Sequence, residues 1–306
     1  DTYVGTVKLN KNYGFVIPDS KKIHNDVYIP TGKLKGAQDG QKVIVKIMEW
    51  PTGDKKAIGK IAEILGDAGT NDAEMHSILA EFDLPNNFPK EVEDYAENIN
   101  TKIHTKEIAK RRDFRKTTTF TVDPVDAKDF DDALSVDFLD NGNYEIGIHI
   151  ADVSYYIPEK SVLEKEAFKR ATSVYLVDRV VPMLPEKLSN GLCSLRPKED
   201  KLTYSAVFEI TPSGKVENEW FGRTVIHSDH RYTYEDAQEV INGAQDKFSK
   251  EIILLDSLAK IFRENRFKNG SVNFETAEVR FKLDDEGTPI ELVPKVRVDA
   301  HKMIED

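Results

Sequence analysis

The chain is predicted to be an α+β protein, a small β-barrel followed by a mixed core, on three observations. Residues 1–65 break into short strand-like runs separated by glycines. From residue 70 the apolar spacing lengthens to the helical period. Beyond 117, strand-like and helical runs mix without a regular strand–helix–strand rhythm, which disfavours a doubly wound parallel sheet.

The elements follow in order. Runs at 3–9, 14–18, 26–29, 42–50 and 57–65 give five strands, a number and spacing suited to a small barrel. Apolar positions predict a helix over 72–82, capped by Asn71 or Asp72, and a second over 90–100 after Pro85 and Pro89. Strands are expected at 117–122, 133–138 and 144–152; in the last, Ile146, Ile148 and Ile150 share a face. A helix at 160–170, a strand at 173–177 and a proline-bounded loop come next. Paired strands at 203–211 and 215–225 turn at Pro212-Ser213-Gly214. Helices at 234–241 and 250–269 and a strand pair around 272–293 complete the reading. The implied division is a barrel at 1–66, a helical connector at 67–116 and a core at 117–306.

Composition bounds the function. The 306 residues, 39% of them hydrophobic, suffice for about two domains at ~150 residues each. No run approaches the ~18 apolar residues of a membrane helix, and the first residues show no signal-peptide pattern. The chain does not start with Met, so a piece of something longer is expected. The single cysteine, Cys193, excludes an intrachain disulfide framework and fits a reducing cytoplasm. A net charge of −11 argues on its face against nucleic acid, yet residues 1–65 hold eleven lysines against seven acidic residues. A second basic cluster spans 110–116.

The densest chemistry is at 121–133, where Asp123, Asp126, Asp129, Asp131 and Asp132 crowd around a single Lys128. Crowded carboxylates call for a hard cation such as Mg²⁺ or Mn²⁺, and metal between carboxylates and phosphate oxygens is the equipment of phosphoryl chemistry. The spacing does not fit an EF-hand loop from either Asp123 or Asp126. A solvated acidic patch is the commoner origin of a charge run, but Pro124, Phe130 and Ala133 give this one a rigid, half-apolar setting.

In the first barrel, Tyr13, Phe15 and Tyr28 lie among lysines on neighbouring strands, with Tyr13 and Phe15 on one face, a candidate stacking platform for bases. These segments, Asn12-Tyr-Gly-Phe-Val-Ile17 and Asn25-Asp-Val-Tyr-Ile29, resemble the nucleic-acid-binding motifs of cold-shock domains, so the barrel is expected to be of the oligonucleotide-binding type.

The aspartate run itself resembles the catalytic core of the ribonuclease II and ribonuclease R family. The likeness continues through Ile148-His-Ile-Ala-Asp-Val153, the stretch Val181–Pro197 and Asp299-Ala-His-Lys-Met-Ile-Glu305, in the domain order of ribonuclease R. It implies a mixed α/β RNB core and a 3′-to-5′ exoribonuclease that releases nucleoside 5′-monophosphates from single-stranded RNA with Mg²⁺ (Mn²⁺ as the other candidate). By position, Asp123, Asp129, Asp131 and Asp132 match the four active-site aspartates, with Asp131 the one most needed for catalysis and Asp123 and Asp132 direct metal ligands. Tyr175 matches the tyrosine that stacks on the 3′-terminal nucleotide, and Phe274 the second clamping aromatic.

The resemblance also implies what this chain lacks: a second cold-shock domain, the remainder of the RNB domain with its catalytic arginine, and an S1 barrel. A monomeric fragment is expected, incomplete at both ends and exposing apolar surface where the rest would pack. The other readings are an RNA-binding module without turnover and a structural protein whose aspartates merely hold a cation. His149 and Asp152 supply only half a zinc ligand set and are expected in structural or RNA-contacting roles; Cys193 is expected to be a packed thiol.

Overall fold

The computed structural model spans residues 1–306 and describes all of them except 22, 24, 51–55, 86, 274–277 and 286. The chain forms two compact units: Asp1–Pro89 with Arg170–Met183 and Leu283–Ile290, and Lys90–Lys169 with Leu184–Lys282 and Glu291–Asp306.

The first unit is built on a closed barrel of β1 (Thr2–Asn10), β2 (Tyr13–Pro18), β3 (Val27–Pro30), β4 (Gln41–Glu49) and β5 (Ile58–Asp67), in the order β1-β2-β3-β5-β4. Alternation along these strands turns Val7, Val16, Val27, Ile29, Val43 and Val45 fully inward, and burying each is worth roughly 1.5–3 kcal/mol. Gly5 lets β1 and β2 close up, because a Cβ there would stand 2.3 Å from the Ile17 carbonyl oxygen. Helix α1 (Asn71–Glu81) follows; its cap residue is Thr70, one before the expected Asn71 or Asp72. The Asn71 side chain is engaged elsewhere, donating to Asp178 at 2.8 Å.

Next in the chain come α2 (Lys90–Glu97), α3 (Thr105–Ile108), β6 (Arg112–Asp113), β7 (Thr118–Asp123), β8 (Asp132–Phe138), β9 (Tyr144–Ala151), α4 (Val153–Tyr156) and α5 (Val162–Arg170). A hairpin of β10 (Val174–Tyr175) and β11 (Val180–Val181) belongs to the first unit. Then follow β12 (Asp200–Ile210), β13 (Val216–His227), β14 (His230–Thr233), α6 (Tyr234–Ile241), α7 (Ser249–Lys268), the pair β15 (Val279–Leu283) and β16 (Pro289–Pro294), and α8 (Asp299–Glu305). Three sequence-based bounds were too generous: the helix from Lys90 stops at Glu97, the strand around 175 has two residues, and the last pair starts at Val279.

The second unit centres on a seven-stranded sheet, β14-β7-β8-β9-β12-β13-β6. Only Ser228 and Asp229 link β13 to β14, although these strands are five places apart in the sheet. A flat sheet would separate them by about 24 Å, whereas that link spans only about 10 Å, so the sheet curls strongly. Asp229 N–H donates to the Thr119 carbonyl at 2.6 Å across the closure.

The two faces differ in chemistry. Phe120, Val122, Val136 and Ile146 pack on one side against Ala237, Ile252, Ala300 and Met303 from α6, α7 and α8. The other face is buried yet polar. His149 Nε2 bonds Ser135 Oγ at 2.8 Å and its Nδ1 bonds Ser205 Oγ at 2.6 Å, and the chain continues to Thr224 and Thr203 at 2.5 Å each. The hydroxyls of Ser135, Ser205, Thr224 and Thr203 offset their burial by bonding to His149 and to one another.

Candidate active site

The aspartates occupy the end of β7, the connection after it and the start of β8. Asp123 is the last residue of β7 and pairs in parallel register with Thr233 of β14. Asp132 opens β8 opposite Ile150, and the Asp131 carbonyl accepts from Ala151 N–H at 3.0 Å. Between them the connection is fastened from behind. Phe130 is buried, its N–H donates to Ser194 Oγ at 3.1 Å, and its carbonyl accepts from Leu195 N–H at 2.8 Å. Ser194 Oγ in turn donates to the Lys128 carbonyl at 2.8 Å. Asp129 and Asp131 thus flank a residue pinned into the fold.

The carboxylates share one field. Burial pushes Asp123 up to about 6, the nearby Thr121 hydroxyl opposes this without reaching hydrogen-bond geometry, and the Asp132 and Asp129 charges add to the rise while Arg231 opposes it. Asp131 is exposed to solvent, yet it is also raised, by desolvation first and then by Asp129 and Asp132. Desolvation raises Asp132 as well. Asp123 is 7% exposed, and its Oδ2 has no hydrogen-bond partner among the described residues. Asp126 is exposed on the connection.

A divalent cation fits this donor set, since it would compensate a buried, unpartnered carboxylate oxygen and the repulsion among its neighbours. As they stand, no group of three or more His, Cys, Asp or Glu side chains converges closely enough to hold an ion among the described residues. The four aspartates share a field without forming a finished chelate.

The barrel aromatics do come together. The Tyr13 ring lies 5.4 Å from Phe15 and 5.5 Å from Tyr28, Phe15 lies 5.8 Å from Tyr28, and Lys56 Nζ sits 4.3 Å over Phe15. All three rings are half-buried on the outside of a wall whose inner face is Val16, Val27 and Ile29. Tyr175 is 63% exposed, on the β10–β11 hairpin opposite Val180. Phe274 lies outside the described residues. His149 is fully buried, and burial lowers its pKa to about 3, so it is a neutral member of the polar face. Asp152 is buried and bound by the buried Arg111 at 2.8 Å and by the exposed Arg223 at 3.5 Å. Cys193 is buried and free of any disulfide, and burial pushes its thiol up to about 12.

Residues 111–306 match the RNB domain, and residues 15–89 match the cold shock domain. The chain belongs to the RNB family of exoribonucleases. Ribonuclease R of Thermotoga maritima is 41% identical over 311 residues, covering 99% of this chain and 44% of that protein. Ribonuclease R 1 of Lactococcus lactis is 40% identical over 302 residues, covering 95% of this chain and 37% of that protein. The chain therefore spans less than half the length of either relative. A structure of Mycoplasma genitalium RNase R in complex with double-stranded RNA superposes with a TM-score of 0.91 at 23% identity, covering 99% of this chain and 55% of that one. This last likeness shows a shared fold. No helix of the described residues is long and apolar enough to cross a membrane.

Two residues beside the carboxylates of this RNB domain, and a third that stacks on one of them, are not apparent in the sequence alone. The Arg231 guanidinium donates to the Pro124 carbonyl, lies 5.5 Å over the Phe130 ring, and opposes the rise of the Asp123 pKa. Tyr234 begins α6 inside the Thr233–Asp236 capping box, and its hydroxyl pKa is raised by burial and then by Asp132 and Asp123. His301 of α8 stacks on Tyr234, centroids 4.0 Å apart and planes 9° apart. The capping box was the one local signal, because Thr233-Tyr-Glu-Asp236 is legible as a helix start.

Proposed function

We propose that this chain carries the RNA-binding barrel and the carboxylate site of a 3′-to-5′ exoribonuclease that hydrolyses single-stranded RNA to nucleoside 5′-monophosphates. The observation that carries the reading is the Asp123 carboxylate, buried with an unpartnered Oδ2 in the field of Asp129 and Asp132. Asp123 and Asp132 would hold Mg²⁺ or Mn²⁺ directly, with Asp129 and Asp131 completing the set. Bound there, the ion would supply Lewis-acid polarisation of the scissile phosphate and a lowered pKa for water. Asp131, raised yet open to solvent, is suited to accept a proton from the attacking water.

Tyr13, Phe15 and Tyr28 would guide the strand by stacking its bases, and Tyr175 would stack on the 3′-terminal base, with Phe274 as the second clamping aromatic. The proposal includes a barrel at 1–66, a connector at 67–116 and a core at 117–306. It also includes a monomeric state and a cytoplasmic setting, to which the lone reduced Cys193 is suited.

A labelled oligoribonucleotide incubated with Mg²⁺ or Mn²⁺ tests the reading on this chain, on the full-length protein and on Asp131→Asn. Monophosphates released by the full-length protein and lost in Asp131→Asn are expected. A full-length protein that binds RNA without releasing them refutes the enzyme reading, and cleavage that survives Asp131→Asn refutes the site. The absence of a ready-made three-ligand cluster among the described residues favours one second reading, an RNA-binding module without turnover. Binding without cleavage in every arm would establish it.

A further inference from the structure

The hairpin that carries Tyr175 has two residues in each strand, too few to hold its shape unaided. Tyr175 is mostly exposed, so its ring is not fixed by burial in a core. The hairpin is fastened at its turn. Leu176 N–H donates to the Arg179 carbonyl at 2.8 Å, closing the turn over Val177 and Asp178. The Asp178 carboxylate accepts from Asn71 Nδ2 at 2.8 Å and from the Arg179 guanidinium at 2.8 and 3.0 Å. The same guanidinium reaches Asp72 at 2.9 Å, and Asn71 Nδ2 also reaches the Gly287 carbonyl at 3.3 Å. Arg179 first, and Asn71 after it, hold the Asp178 carboxyl below the usual carboxylate range.

The base of the hairpin is fastened to the same unit. The Arg170 guanidinium lies 3.6 Å over the Phe88 ring and donates to the carbonyls of Asn87 at 2.8 Å and Pro182 at 3.2 Å. Asn71 and Asp72 form the first turn of α1, which follows barrel strand β5 after only residues 68–70. One guanidinium bridging two carboxylates in different directions uses the planar fork of arginine, which lysine lacks.

We propose that Asn71, Asp178 and Arg179 are positioning residues, a latch that sets Tyr175 for stacking on the 3′-terminal base and ties it to the RNA-binding barrel rather than to the carboxylates. The inference rests on the reading of Tyr175 given above. It makes the base stacker and the barrel aromatics parts of one body, so an RNA held by the barrel meets a pre-set stacking surface.

The test uses the whole chain in EDTA, where hydrolysis is suppressed, and an oligoribonucleotide with 2-aminopurine at its 3′ end. Quenching of the 2-aminopurine reads stacking on Tyr175, and anisotropy of a 5′ dye reads overall binding. Tyr175→Ala is expected to abolish the quenching. Arg179→Ala and Asn71→Ala are expected to lose most of it, and Arg179→Lys to restore part. Arg179→Ala and Asn71→Ala are expected to weaken the anisotropy affinity no more than Tyr175→Ala does, since the barrel aromatics carry stacking of their own. Normal quenching in Arg179→Ala and Asn71→Ala, with loss in Tyr175→Ala, overturns the latch and leaves the stacking reading intact. Normal quenching in Tyr175→Ala overturns both. Loss of anisotropy binding together with quenching in Asn71→Ala, which removes no charge, marks a merely structural role and also overturns the latch.

Discussion

Ser194 and Phe130, 64 residues apart in sequence, are joined by a hydrogen bond from the Phe130 N–H to Ser194 Oγ at 3.1 Å. The same hydroxyl donates to the Lys128 carbonyl at 2.8 Å, so one side chain spans the base of the Asp129–Asp131 segment. Ser194→Ala leaves a buried N–H without its acceptor, at a cost of roughly 1–3 kcal/mol. The segment would then relax, and the carboxylates with it. Monophosphate release is expected to fall well beyond what the lowered melting temperature explains, while barrel-dependent RNA binding stays unchanged. Single-turnover cleavage beside thermal denaturation checks this, and an unaltered cleavage rate would show that the pin is irrelevant to the site.

The polar face of the sheet gives a second prediction. A Cβ at Gly147 would stand 2.4 Å from Ser135 Oγ and 2.6 Å from His149 Nε2, the two atoms of one hydrogen bond. Gly147→Ala must push that pair apart in a closely packed interior, at a cost of about 1–3 kcal/mol for overpacking plus the bond. Chemical denaturation is expected to show a lower midpoint, and Ser135→Ala in the same chain should recover part of the loss by making room. Additive losses in the double variant would place the strain elsewhere.

These features were not equally visible beforehand. The barrel was legible because Val16, Val27 and Ile29 alternate with Tyr13, Phe15 and Tyr28 at the two-residue period of a strand. The aspartates were legible because local spacing alone crowds them. Arg231 and Tyr234 were not, since they approach Asp123 only through parallel pairing of β14 with β7, more than a hundred residues apart. Ser194 was hidden for the same reason. Asn71 misled as a cap candidate because a side chain suited to capping is equally suited to the longer-range bond it makes to Asp178. The structural role expected of His149 is the one found, but its partners Ser135 and Ser205 were hidden because they come from neighbouring strands.

The aromatic cluster of the barrel yields a prediction that separates binding from fold. Tyr13, Phe15 and Tyr28 contact one another on the outer wall, and the core behind them is aliphatic. Alanine at Phe15 is expected to weaken binding of a short oligoribonucleotide by about 1–3 kcal/mol, the worth of one stacked base. The melting temperature should change little by comparison. Fluorescence titration at fixed salt measures the first and circular dichroism the second; a large stability loss with unchanged binding would make the ring a packing residue.

Asp123 sets the sign of a pH effect that metal should reverse. Its folded-state pKa of about 6 lies above the ordinary 3.8, because burial disfavours the charged form. Between those values the folded chain keeps a proton that the unfolded chain has released. The carboxyl therefore costs stability as pH rises through this window, and the full cost, up to roughly 3 kcal/mol, is present above it. His149 acts in the opposite sense: its folded pKa of about 3 lies below the ordinary 6.5, so stability is lost as pH falls through that range. Removing the Asp123 charge should thus stabilise the metal-free protein near neutrality and matter little near pH 4. Asp123→Asn in EDTA is expected to melt higher than the parent at neutral pH. Adding Mg²⁺ should raise the parent's melting temperature there, do so less at acid pH, and leave Asp123→Asn nearly unmoved. An Asp123→Asn protein that melts lower than the parent in EDTA at neutral pH would show that the buried carboxylate is compensated within the fold, and with that the argument for a cation at this site would fall.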